Sequence, residues 1–446
     1  MRISNRLRFL LLGVLAATAL LMAVACGEKE KETAETPGAS PAATQPTGGG
    51  TPSTEEVPGV TDTEILLGSH FALSQSPAAA YSVIMDGMRA YFDYVNSQGG
   101  VYGRKIKLLI GDDHYNPADT LEVVRKLVEQ DNVFAMIGCL GESTHTTVWK
   151  YLEEQGIPDL FQSSGIVKWT DPVAHTRFGG NPDYFTEGKM LGKYIAETYN
   201  GKKLGLLLQN DEIGVDGENG IRAGLEGSDV EIVARETFET TQWDVTAQTQ
   251  RLKNANPDVV AAYSIPPPAA SLVKVSREVL NWDVPFVISG VNASDVFAQL
   301  AGAQNAEGAV SVVFGKQLYQ TDDPAIQLHL QIMKDFGQGV PASNFTLYGQ
   351  AMAEIMVKGL ENAGPNLTRE SLIEGLEAIR DWCCTACMVP VNMSPTDHRP
   401  MEMEFYIKMH NGNWEPFGDP ISYESTPGKV VGCTGMGEPI YANEGE

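Results

Sequence analysis

The chain of 446 residues has no basic stripe: 32 lysines and arginines stand against 57 aspartates and glutamates, a net charge of −25. That balance argues for solubility through self-repulsion and against nucleic acid as a partner. Missing too are Gly-x-Ser-x-Gly, His-Glu-x-x-His and the phosphate-binding glycine loop, so no motif points to catalysis. Beyond the N-terminal segment no apolar run approaches membrane-spanning length. Residues 27–59 contain no aromatic side chain. They are rich in Glu, Lys, Thr, Pro and Gly and cannot bury enough surface to fold. Cysteines are few, six in all, so each can be considered singly.

What is present begins with a leader. Arg2, Arg6 and Arg8 precede an uncharged apolar run over residues 9–25 and then Cys26. This three-part layout predicts a signal peptide over residues 1–25. Ala23-Val24-Ala25-Cys26 resembles the bacterial lipobox, whose cysteine is acylated and becomes the first residue; the alternative is a short membrane helix with an incidental cysteine. Residues 26–59 then read as a lipidated Cys26 and a flexible tether. The expected location is outside the cytoplasm, anchored by lipid to the outer face of the cytoplasmic membrane.

The folded part is organised around residues 106–165, where two strand-helix units run back to back. Ile106, Leu108, Leu109 and Ile110 form an apolar run that stops at Asp112 and Asp113, which predicts a buried strand. Asn116 is a natural N-cap and Pro117 suits the first helical turn. Residues 133–137 predict a second strand, followed by a glycine-bearing turn and one helix from Ser143 through Leu152. Residues 158–161 predict a third strand ending at Gln162-Ser163-Ser164-Gly165. Hydroxyl-rich loops side by side on one rim of a parallel sheet make half of a small-molecule cleft. Asp112 and Asp113 read as caps rather than a metal pair, and His145 as an ordinary histidine. No metal and no cofactor is expected.

The ordered set of the loop before Tyr81, Gly99-Gly100-Val101-Tyr102-Gly103-Arg104-Lys105-Ile106, Asp112-Asp113, Arg125-Lys126-Leu127-Val128 and Ile137-Gly138 resembles the Leu/Ile/Val-binding family of extracellular solute-binding proteins, the ligand receptors of bacterial ABC importers. The resemblance covers about residues 60–420. It implies an α/β fold of two Rossmann-like lobes with parallel sheets joined by three hinge crossings, the periplasmic-binding-protein type 1 arrangement. Lobe 1 would comprise residues 60–180 and 315–388, and lobe 2 residues 181–314 and 389–446, with crossings near Gly179, residues 312–316 and residues 389–393. It implies no enzyme, but capture of a small molecule by lobe closure and delivery to permease subunits of an ABC importer. An extracellular sensor for a separate membrane signalling protein is the alternative.

Carried over position by position, the resemblance implies ligand contacts at Tyr81, Ser143, Thr144, Ser163 and Ser164 in the first lobe. It implies Ile213, Ile265 and Asn292 in the second, with Tyr184 near the hinge. Two positions depart from the amino-acid receptors of the family. The hydroxyl that would fix an α-carboxylate falls on Gly165, and no acidic residue stands at Val291 or Asn292 to clamp an α-ammonium. A buried zwitterion needs both charges paired, which speaks against a simple α-amino acid and sets an aromatic or aliphatic carboxylate or an amide beside the family's branched-chain or hydrophobic amino acid. Glu142 or Asp211 could supply the anion from another position.

Outside the cytoplasm, Cys383, Cys384, Cys387 and Cys433 read as two disulfides of open connectivity stapling a C-terminal loop. A zinc knot is the rival. A redox pair fits less well because Pro390 follows the Cys-x-x-Cys. Cys139 is left as a buried free thiol.

Overall fold

The computed structural model describes residues 56–74, 76–422 and 430–441; the leader, Cys26 and most of the tether lie outside them. Five parallel strands form the first sheet: β1 Glu64–Phe71, β2 Lys105–Asp112, β3 Ala135–Ile137, β4 Asp159–Gln162 and β5 Arg177–Gly179, in the order β2-β1-β3-β4-β5. β3 and β4 are buried along their whole length, as parallel strands covered on both faces by helices must be. Asn116 caps the helix Pro117–Arg125 through the Ala118 amide at 2.9 Å.

The second sheet contains β6 Lys203–Gln209, β7 Glu231–Phe238, β8 Val259–Tyr263, β9 Phe286–Ile288, β10 Val310–Val313, β11 Met403–His410 and β12 Asn413–Ser422, ordered β12-β11-β10-β9-β8-β6-β7. It is parallel from β7 to β10. The expected parallel arrangement holds for these strands, and β11 and β12 add an antiparallel pair on one edge. The turn at Asn411 and Gly412, both with positive φ, lets this pair form a hairpin. A separate hairpin joins β13 Val430–Thr434 to β14 Glu438–Tyr441.

Three connections run between the two sheets. β5 leads from the first sheet into the helix Tyr184–Thr198, which packs on the second. β10 leads back at residues 314–316, and the helices Pro324–Phe336, Asn344–Ala363 and Arg369–Glu377 then cover the first sheet. The crossings hold one another: the Met388 amide donates to the Phe314 carbonyl (2.8 Å), Lys316 to Ala386 (2.9 Å) and Gly179 to His398 (3.1 Å).

The expected boundary at residues 388 and 389 comes too early. Val389, Val391, Met393 and Met401 belong to the apolar core of the first lobe, so the final return occurs just before β11. Nor do residues 430–441 simply join the second lobe. Cys383–Cys433 and Cys384–Cys387 are the two disulfides, and the Cys433 amide donates to Met388 at 2.8 Å. The β13–β14 hairpin is thereby fixed to the hinge. No helix among the described residues is long and apolar enough to cross a membrane.

Candidate ligand-binding cleft

The predicted single helix after β3 is two, Glu142–His145 and Trp149–Glu154. The Thr146 and Thr147 hydroxyls donate to the Glu142 and Thr144 carbonyls, local bonds that compete with helix continuation. The break leaves Glu142 at the start of a short turn, directly after Gly141, whose φ of 109° suits glycine. A side chain at Gly141 would strike the Tyr115 ring at 2.7 Å, which sets that ring against the loop.

Glu142 is the electrostatic centre of the cleft. Burial pushes its carboxyl up to about 7; a Ser164 hydrogen bond opposes the shift, and the negative charges of Asp211 and Glu212 add to it. Its own charge in turn acts on the phenols of Tyr81, Tyr115 and Tyr184, all raised chiefly by burial. Three phenols and the Ser164 hydroxyl therefore interact with one carboxyl. Asp211 approaches from the second lobe, where it caps the helix Glu212–Gly224 through the Ile213 amide at 3.0 Å and accepts from Gln209 at 2.6 Å. Burial raises its carboxyl too.

Several predicted residues stand around this centre. Tyr81 ends a short 3-10 turn and lies edge-on to Phe345, ring centres 5.2 Å apart. Ser163 donates to the Gly138 carbonyl at 2.9 Å and also bonds the phenol of Tyr348, which in turn reaches Asn181. Tyr184 is buried at the start of its helix, its amide donating to Gly165 at 2.7 Å. Gly165 has a steric reason: a Cβ there would lie 2.5 Å from the Pro182 carbonyl and 2.9 Å from the Tyr184 ring. The hydroxyl of the amino-acid receptors has no room at this position.

Other predicted contacts are engaged in the frame. Thr144 is buried and donates to the Leu140 and Gly141 carbonyls at 3.0 and 3.2 Å. Asn292 is buried with its amide bonded to the Ser264 and Ser289 carbonyls at 2.8 and 3.1 Å, bracing two rim loops. Ile213 lies in the second-lobe core, and half-buried Ile265 packs against it. Ser143 is exposed. The Thr144 hydroxyl and the Asn292 amide nitrogen thus close loops, a tertiary outcome the local sequence does not encode, while the Asn292 Oδ1 is buried without a hydrogen-bond partner among the described residues. Tyr115 and Tyr348 were not anticipated; a positive φ at Tyr115 and a helix far along the chain give no local signal.

The lobes also touch at one edge. The Val167 amide donates to Asp216 at 3.0 Å, and Lys168 pairs with Glu212 at 2.8 Å. A pocket lined by Val167, Asp183, Phe185, Lys189 and Arg399 lies there and includes none of the predicted contacts.

A family model for periplasmic binding proteins matches residues 71–411. An amino acid binding protein of Pseudomonas aeruginosa is 26% identical over 275 residues, covering 61% of this chain and 71% of that protein. A Leu/Ile/Val-binding protein of Rhizobium johnstonii is 22% identical over 311 residues, covering 68% and 80%. Among solved structures, a branched chain amino acid ABC transporter protein of Thermus thermophilus with bound valine has a TM-score of 0.74 at 18% identity, over 81% of this chain and 97% of that one. A fatty acid ABC transporter substrate-binding protein of Thermomonospora curvata has a TM-score of 0.70 at 22% identity, over 87% and 94%. These structural likenesses establish the fold.

Proposed function

The chain belongs to the periplasmic binding protein family, and from that premise we propose that it captures a small amphiphilic ligand bearing an amino group, by lobe closure, for delivery to an ABC importer. It is a binding protein and not an enzyme, and members of its family act outside the cytoplasm. Attachment through Cys26 and the permease subunits as partners are parts of the proposal.

One observation carries the ligand class: Glu142 is buried and feels the negative charges of Asp211 and Glu212, and its own charge reaches the phenols of Tyr81, Tyr115 and Tyr184. Two carboxylates held close in a half-dry space repel each other, and a cationic group between them removes that repulsion. Tyrosine faces add attraction for a cation and a surface for its apolar part. A hydrophobic amino acid, its amide or the corresponding amine meets both demands; a simple carboxylate meets only the second. Closure then follows from contacts to both rims, which favour the closed state over the open one. The Leu/Ile/Val-binding and amino acid binding relatives support an amine-bearing ligand.

Calorimetric titration with such a ligand tests the assignment of the first rim. Tyr81→Ala should weaken binding about tenfold, equivalent to about 1.4 kcal/mol, with the melting temperature of unliganded protein little changed. Unaltered affinity would remove Tyr81 from the site.

A further inference from the structure

Beneath the rim lies a second constellation that ligand capture does not use. His70 at the end of β1, Cys139 after β3 and His145 in the short helix are each no more than 1% exposed. One donor atom from each lies within 4.8 Å of the others. His70 Nε2 faces His145 Nδ1 at 2.9 Å. The outer nitrogens are both engaged by carboxylates: His70 Nδ1 with Asp113 at 2.7 Å and His145 Nε2 with Asp159 at 2.8 Å. Asp113 is held further by the Tyr115 amide at 3.0 Å and the Thr120 hydroxyl at 3.1 Å.

A proton count makes this arrangement informative. Each neutral imidazole has one N–H, and a carboxylate can bond only to the ring nitrogen that carries it. With both N–H groups turned outward to Asp113 and Asp159, two lone pairs face each other across 2.9 Å. In a water-free interior that is repulsive unless a cation sits between them. The two carboxylates make the same demand, for they are 0% and 2% exposed and no lysine or arginine pairs with either among the described residues. The outward carboxylates are also what metal-binding histidines use to fix the ring and raise its basicity. A thiol as third donor distinguishes a metal ion from a shared proton, which needs only the two nitrogens.

We propose that His70, His145 and Cys139 bind a transition-metal ion of the zinc class, with Asp113 and Asp159 as the supporting carboxylates. Nitrogen and sulfur donors together select zinc and softer ions over calcium or magnesium. Binding forms one metal–sulfur and two metal–nitrogen bonds and releases the Cys139 thiol proton to solvent. A tetrahedral centre would part the facing nitrogens to roughly 3.3 Å, given metal–nitrogen bonds near 2.0–2.1 Å. The Ser69 hydroxyl, 4.0 Å from the Cys139 sulfur, borders the site. The ion would tie β1, β3 and β4 together directly under the loop that carries Glu142.

The test uses the full chain, stripped with chelator and refolded with Co²⁺, so that burial does not block entry. The expected result is one equivalent of Co²⁺ per chain, with d–d bands of tetrahedral intensity and a thiolate-to-cobalt charge-transfer band. Cys139→Ser should remove that charge-transfer band while the variant remains folded by circular dichroism. Zn²⁺ should displace the cobalt and raise the melting temperature, the rise growing with the logarithm of free Zn²⁺ above its dissociation constant. Folded wild-type protein that takes up neither ion overturns the proposal, as does a cobalt spectrum unchanged by Cys139→Ser. Should Cys139→Ser not fold, His145→Gln is measured instead, and an unaltered cobalt spectrum in that variant also overturns it.

Discussion

Replacing Glu142 by Gln is expected to weaken binding of an amine-bearing ligand by about 100-fold at pH 8, equivalent to about 2.7 kcal/mol. The same substitution should stabilise the unliganded protein at that pH. The carboxyl is raised from 4.5 to about 7, first by burial and then, beyond its bond from Ser164, by Asp211 and Glu212. A carboxyl whose pKa is higher folded than unfolded favours the fold below pH 4.5, and that contribution is lost as pH rises through 7. The ionised side chain is thus a cost to the empty protein and an asset to the ligand complex, a usual relation between stability and activity at binding sites. Wild-type affinity should fall about tenfold per pH unit below 7, because the ligand competes with a proton. The Gln variant should show a flat profile between pH 5 and 8. Titration calorimetry at four pH values checks both; parallel profiles for wild type and variant would remove Glu142 from the site.

Gly220→Val should destabilise the second lobe by about 3 kcal/mol or more. The helices Tyr184–Thr198 and Glu212–Gly224 cross where their glycines face each other. A Cβ at Gly188 would lie 2.5 Å from the Gly217 carbonyl, and one at Gly220 would lie 2.8 Å from the Lys189 amide and 2.9 Å from the Gly188 Cα. These are backbone atoms, which cannot move aside as a flexible side chain would. The helices would separate, and Tyr184 at the start of one would shift relative to Asp211 at the start of the other. Urea unfolding should show a lower midpoint and ligand binding should weaken in parallel. An unchanged midpoint would mean that the close crossing contributes little.

Short apolar runs with abrupt polar ends made β2, β3 and β4 legible in the sequence, and Asn116-Pro117 marked a helix start that the Ala118 bond bears out. Local signals of that kind work because a buried parallel strand must be apolar throughout. The same reading stopped short of β11 to β14, where Gly, Pro and polar residues are interspersed and the hairpins depend on pairing with distant chain. Cleft composition was only partly legible. Ser164 and Tyr81 interact with Glu142 because loops at one rim of a parallel sheet converge. Tyr348 arrives from a helix about 200 positions away, and the inward turn of Thr144 and Asn292 depends on carbonyls that only the folded rim supplies. The His70, Asp113, His145 and Asp159 chain was invisible for the same reason: its members come from four separate segments and share no spacing.

Binding of an amino group in the acidic cleft around Glu142 is tested most directly by a thermal-shift panel on the purified protein at pH 8 and pH 5. Leucine, isoleucine and valine would be compared with their amides, the corresponding amines and the corresponding carboxylates lacking the amino group. A ligand that binds only the folded state raises the melting temperature with concentration. Amine-bearing compounds should give shifts, larger at pH 8 than at pH 5, and the carboxylates alone none. Shifts from carboxylates without an amino group, and none from the amines or amides, would contradict amino-group binding.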